Sequence, residues 1–171
     1  MYQVDEKDKV LELGDFPPME TGDPCPSVMS DQSRCVLGYG LRQNVDWNTT
    51  KVEEMEPQRV AVVQFNGYVS HIFGTPNEEV ISGHPLRGRG LNQYGFFEVE
   101  NSSWLRAMEK VNSVHERHDK EKFMSAFRHF IITFHDSTFE CIARDYDISV
   151  FEPPVNVFDE MRKRVLITTY V

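Results

Sequence analysis

The sequence has no run approaching the roughly 18 consecutive apolar residues of a membrane-crossing helix. It has no Cys-x-x-Cys pair, so it supports neither a thioredoxin-like redox motif nor a zinc knuckle. Cysteine is scarce altogether. Cys25, Cys35 and Cys141 are an odd set that cannot all pair within one chain, and Cys141, in an apolar strand pattern, is expected as a buried free thiol. The Gly-Lys-Ser/Thr phosphate loop, the His-Glu-x-x-His zinc pair, internal repeats and low-complexity tracts are also missing. Basic residues are in deficit. Eighteen Lys and Arg against 27 Asp and Glu leave a net charge of −9, which repels nucleic acid and anionic membrane surfaces. The opening MYQVDEKDKVLELGDF is charged throughout and lacks the apolar core of a secretory leader. A cytoplasmic, reduced protein without nucleic-acid or membrane partners is therefore expected.

What is present is a globular composition. Apolar residues make up 40% and charged residues 26% of the 171 positions, and twelve phenylalanines point to a ring-rich core. Residues 1–33 hold four of the nine prolines and little periodicity, and read as an N-terminal arm, extended or partly disordered, anchored through Val10, Leu11, Leu13 and Phe16. Residues 34–171 read as one domain. CVLGYGLR (35–42) is a strand pattern whose glycines signal a bend or close packing. Asn66–Gly67 between two β-rich runs predicts a tight hairpin, with Phe65 opposite Tyr68 and Val62 opposite His71. YGFFEVE (94–100) is a strand, and a helix follows with Asn101 or Ser102 as cap and Trp104, Leu105, Met108 and Val111 on one stripe. A second helix is expected from near Asp119. DISVFEPP is a short strand, and the next segment a helix with Phe158, Met161 and Val165 turned inward. The terminal VLITTYV reads as a strand. Hairpins dominate and no βαβ alternation is present. The expected class is α+β: a mostly antiparallel sheet of about six to seven strands with two or three short helices packed on it.

The stretch HFIITFHDSTFECIA (129–143) alternates cleanly. With Asp136–Ser137 as its turn, Phe130, Ile132, Phe134, Phe139, Cys141 and Ala143 share one uncharged face. His129, Ile131, Thr133, His135, Thr138, Glu140, Ile142 and Arg144 share the other. That register makes His135 and Glu140 diagonal neighbours, and Ile131 and Ile142 among them predict that the polar face is covered. A covered imidazole–carboxylate pair can carry protons, so His135 and Glu140 are the candidate catalytic residues.

His115 and His118, spaced i, i+3, are the candidate metal ligands, with His129 near them in sequence. SGHPLRGRGL (82–91) lies in the longest internal loop, where glycines free the backbone and arginines can clamp a carboxylate or phosphate. If that loop packs beside the polar face, His84, Arg87, Arg89, His129 and Arg144 are candidate ligand-binding residues. The expected function is binding of a protein partner or a small acidic ligand by this surface. A small hydrolase or lyase using His135 and Glu140, with or without metal, is the first alternative. An oligomerisation or interaction module pairing through VLITTYV is the second. No established catalytic motif decides whether the protein is an enzyme, and no cofactor is indicated.

Overall fold

A computed structural model of the protein describes residues 2–14, 16–43 and 57–166. Within them the expected α+β class holds, with more strands than foreseen: nine, in two antiparallel sheets. Five belong to the first sheet: β1 (Lys9–Glu12), β5 (Ser70–Gly74), β6 (Gly95–Glu100), β7 (Arg128–Thr133) and β8 (Thr138–Ala143), in the order β1-β6-β7-β8-β5. The second contains β2 (Ser27–Ser30), β3 (Cys35–Gly40), β4 (Val60–Asn66) and β9 (Asp145–Phe151), in the order β2-β3-β4-β9. Three helices complete the fold: α1 (Ser103–Asn112), α2 (Lys120–Ala126) and α3 (Val157–Leu166). No described helix is long and apolar enough to cross a membrane.

Side chains alternate along each strand, so each sheet has two faces to cover. The inner faces meet in a ring-rich cluster of Cys35, Leu37, Tyr39, Ala61, Val63 and Phe65 against Phe96, Phe130, Ile132, Phe139, Cys141 and Ala143. Behind the second sheet, Val36 and Val62 pack on Met161 of α3, with Val157 and Val165 at the margin. Gly38 makes this contact feasible, because a Cβ there would lie 2.5 Å from Val157 Cγ2 and 2.6 Å from Met161 Sδ. Behind the first sheet, Phe97, Val99 and Ile131 meet Val10 and the loop residues Ile81, Leu86 and Leu91, with Tyr2 and Val4 alongside. The N-terminal segment thus supplies β1 and β2, and its Leu13 and Phe16 pack against the central core.

Four expectations change. Asn66–Gly67 does not close a hairpin: β4 pairs with β3 and β9, while β5 pairs with β8 in the other sheet. A type I′ turn needs positive φ at both central residues; Gly67 has φ 61° and Asn66 is not among the positive-φ residues. The dipeptide turns a corner between sheets, beside the second crossing at Arg144, whose N–H donates to Asn66 O at 2.8 Å. Ser102 caps α1 as expected, but Val111 is 72% exposed. Phe158 is 51% exposed, and Val157 takes its inward place. Of VLITTYV, Val165 and Leu166 close α3; the remainder lies outside the described residues, as does Trp47.

Candidate functional site

β7 and β8 form the expected ribbon with the expected faces, displaced by two positions. Thr133 stands opposite Thr138, Ile131 opposite Glu140 and His129 opposite Ile142. The turn spans four residues, closed by the Phe134 N–H donating to Ser137 O at 2.8 Å. An even displacement leaves every side chain on its face. It does change neighbours: His129, not His135, becomes the diagonal partner of Glu140.

Glu140 is 4% exposed and sits at the centre of a buried polar knot. His129 Nε2 lies 3.1 Å from Glu140 Oε2, and His84 Nε2 lies 3.3 Å from Oε1. The Tyr2 hydroxyl donates to Oε2 at 2.5 Å. The partners of each ring place a proton on Nε2. The Leu86 N–H donates to His84 Nδ1 at 3.2 Å, so the proton of a neutral ring is on Nε2. Ser102 Oγ accepts the Leu105 N–H at 3.1 Å as the cap of α1 and lies 2.9 Å from His129 Nδ1. Both imidazoles therefore present Nε2–H to one carboxylate. Burial opposes ionisation of Glu140, but the bonds from His129 and His84, the attraction of His129 and the bond from Tyr2 outweigh it. They hold the group at about 2, below its ordinary 4.5. Burial first, then the Glu140 charge, pushes the Tyr2 phenol up, so Tyr2 remains a donor.

The rest of this face is closed too. Thr133 Oγ1 donates to Asn92 O at 3.0 Å and accepts the Gly95 N–H at 3.1 Å, while Thr138 Oγ1 donates to Pro76 O at 2.8 Å. Trp104 stacks on Tyr2, with centroids 5.5 Å apart, and meets His129 edge-on at 5.1 Å. Covering was expected. The 81–91 loop and the start of α1 are among the agents the sequence offered; the N-terminal Tyr2 is not. Tyr2 and Ser102 give no periodic signal, although Ser102 was legible as a cap.

His135 is not brought to Glu140. It sits in the β7–β8 turn with its side chain 34% exposed, and Nδ1 lies 2.7 Å from Glu78 Oε1 and 2.9 Å from the Tyr94 hydroxyl. The Tyr94 hydroxyl also donates to Glu78 Oε2. Glu78 accepts only, which assigns the Nδ1 proton to the bond with it, and Nε2 lies 3.9 Å from Asp136 Oδ1. A carboxylate-oriented imidazole of this kind can accept a proton. Tyr94 holds φ 53°, a conformation that bulky residues seldom adopt.

The loop arginines do not reach the polar face. Both are exposed, and Arg87 Nη1 donates to Leu91 O and Asn92 Oδ1 at 2.5 Å each, clipping its own loop. Of the five expected ligand-binding residues, only His84 and His129 come together.

Arg144 lies elsewhere, with the two candidate metal ligands. A cleft of about 340 Å³ is lined by His115, Arg117, His118, Lys122, Phe127 and Arg144, among others. The Arg144 guanidinium sits over the Phe127 ring at 5.5 Å. His115 Nδ1 accepts the Arg117 N–H at 3.1 Å, while His118 Nε2 lies 3.0 Å from Glu109 Oε1, so the two rings serve separate partners. Asp119, the one acid of the lining, accepts the Lys122 N–H at 3.0 Å as the cap of α2. Glu116 lies outside the lining, 3.9 Å from the exposed Arg117. A cleft of about 440 Å³ against α2 is acidic by contrast: Glu98, Glu100 and Glu121 line it, and its Arg128 is held by both Glu98 oxygens at 2.9 and 2.6 Å.

Among the described residues, no group of three or more His, Cys, Asp or Glu converges to hold a metal ion. Comparison with family models, with curated proteins and with solved structures returned no match.

Proposed function

We propose that the protein binds a small acidic ligand with an apolar or aromatic body in the cleft between the α1–α2 connection, α2 and Arg144. One observation carries this reading: Arg117, Lys122 and Arg144 line, with His115 and His118, a cleft that also has Phe123 and Phe127 in its walls, in a chain of net charge −9. The ligand's charge meets the cations, and its body lies against the rings. An arginine already stacked on an aromatic ring is partly ordered, so less freedom is lost when it grips a carboxylate or phosphate. The face first expected to bind, the reverse side of the β7–β8 ribbon, is filled by the protein's own Tyr2 and loop 81–91, and its carboxylate would repel an anion.

Titration with phenyl phosphate in a calorimeter tests this. Saturable binding is expected, weakening as salt rises because the cations are exposed. Arg144→Ala should reduce affinity about 10- to 100-fold, the loss of one charge-assisted contact of about 1.5–3 kcal/mol. Arg87→Ala together with Arg89→Ala should leave affinity unchanged. Absence of saturable binding at millimolar ligand, or a loss that follows the loop arginines, would reject the cleft.

A further inference from the structure

The cleft beside α2 is unbalanced in charge. Arg117, Lys122 and Arg144 are its permanent cations and Asp119 its one acid, so with both imidazoles neutral the lining carries two surplus positive charges in a chain of net charge −9. Asp119 is already engaged by the Lys122 N–H, and Glu109, paired with His118, lies outside the lining. Arg144 is fixed along its whole length. Its backbone N–H donates to Asn66 O at 2.8 Å. Its stem runs over Gly67, where a Cβ would lie 2.6 Å from both Cγ and Cδ of the arginine. Its guanidinium rests on Phe127, whose ring packs 5.0 Å from that of Phe123. Among the described residues no carboxylate forms an ion pair with it; the adjoining Asp145 meets Arg128 at 3.4 Å instead. His115 Nδ1 accepts the Arg117 N–H, which puts the proton of a neutral ring on Nε2 as a further donor.

We propose that the acidic ligand of this cleft is a phosphate monoester on an aromatic body. The inference rests on the binding reading above and narrows it to one head group. A phosphate monoester carries a charge of about −1.5 to −2 on three oxygens at neutral pH, whereas a carboxylate carries a single charge on two. The dianion matches the surplus of the lining, while a monoanion leaves one cation unanswered. The Arg144 fork takes two phosphate oxygens through parallel N–H bonds, a geometry that a lysine ammonium does not offer. The third oxygen is left to Lys122 and the His115 Nε2–H. Because Gly67 and Phe127 already hold the arginine, little side-chain freedom is lost when the fork closes on the head group. The body lies along Phe123 and Phe127, and a cleft of about 340 Å³ has room for one ring with its head group.

The test titrates the full chain at low salt and about pH 8, where the monoester is doubly charged, with phenyl phosphate, benzenesulfonate and benzoate. All three share the ring. Benzenesulfonate keeps a three-oxygen head with one charge, and benzoate has one charge on two oxygens. Phenyl phosphate should bind about tenfold more tightly than either, the effect of one further charge beside exposed cations. Lys122→Gln removes one surplus charge and should shrink that preference to about threefold or less. Arg144→Lys keeps the charge but loses the fork, and should weaken phenyl phosphate about tenfold while the thermal midpoint stays that of the wild type. Benzenesulfonate or benzoate binding as tightly as phenyl phosphate would overturn the proposal and leave the acidic-ligand reading standing. A preference undiminished in both variants would also overturn it, because the head group would then be held elsewhere. If none of the three binds saturably, both readings fall.

Discussion

Glu140→Gln is expected to lower the unfolding free energy by about 3–5 kcal/mol, the cost of removing one partner from a buried charge-paired cluster. The size follows from what the carboxylate receives. Tyr2, His84 and His129 each aim a donor at it, from the N-terminus, from the 81–91 loop and from β7. An amide of the same shape offers one acceptor and turns an N–H toward donors, leaving at least one buried donor unmatched. The acid limb of stability gives the same magnitude. The carboxyl is held at about 2, against 4.5 when unfolded, a difference worth about 3 kcal/mol. Because the folded value is depressed, that stability is fully present above pH 4.5 and is lost as pH falls from there through about 2. Urea unfolding at neutral pH and at pH 3 should show the wild type losing much of its advantage over Glu140→Gln in acid. Equal midpoints for the two proteins at neutral pH would contradict the closed knot.

Phe130→Ala should cost about 3–5 kcal/mol, as for the truncation of other fully buried rings. Phe130 is wholly buried on the inner face of β7 and joins the two sheets. Its ring lies 6.0 Å from Phe65 and 5.2 Å from Tyr146 of the second sheet, and 5.9 Å from Phe96 of its own. Arg128 sits over it, 4.8 Å from the centroid. With neighbours fixed in both sheets, the space left cannot collapse, so the cavity adds to the lost transfer energy. The thermal midpoint should fall by about 6–20 °C. A fall of only a degree or two would mean that the ribbon's phenylalanines are not where the sheets meet.

The ribbon's two faces were legible because its alternation is strict, and parity survives any even shift of register. The neighbours were not legible, because they depend on turn length. A two-residue turn at Asp136–Ser137 would have brought His135 to Glu140; the four-residue turn leaves His135 at the tip, beside Glu78 and Tyr94. Asn66–Gly67 shows the same limit. The dipeptide marks a reversal, but both flanking runs are apolar enough to be buried, and only pairing across the molecule assigns them to different sheets. Tyr2 is one aromatic in a charged segment, and nothing local marks it as the third donor to a glutamate 138 positions away. The cationic cleft was hidden by composition. In VHERHDKEK acids alternate with bases, and nothing local shows that Arg117 and Lys122 line one cleft with Arg144 from a distant strand end while Asp119 is taken up in capping α2.

One physical claim underlies these expectations: the covered face of the β7–β8 ribbon is a closed anion knot, which leaves the proposed acidic ligand to the cleft between the α1–α2 connection, α2 and Arg144. A carbon-13 titration of the Glu140 side-chain carboxyl tests it directly. While the native spectrum persists, its shift should stay that of an ionised group from neutrality down toward pH 2. An inflection at or above pH 4.5 in the folded protein would show a carboxylate that receives no net stabilisation from these donors, and the knot would not exist.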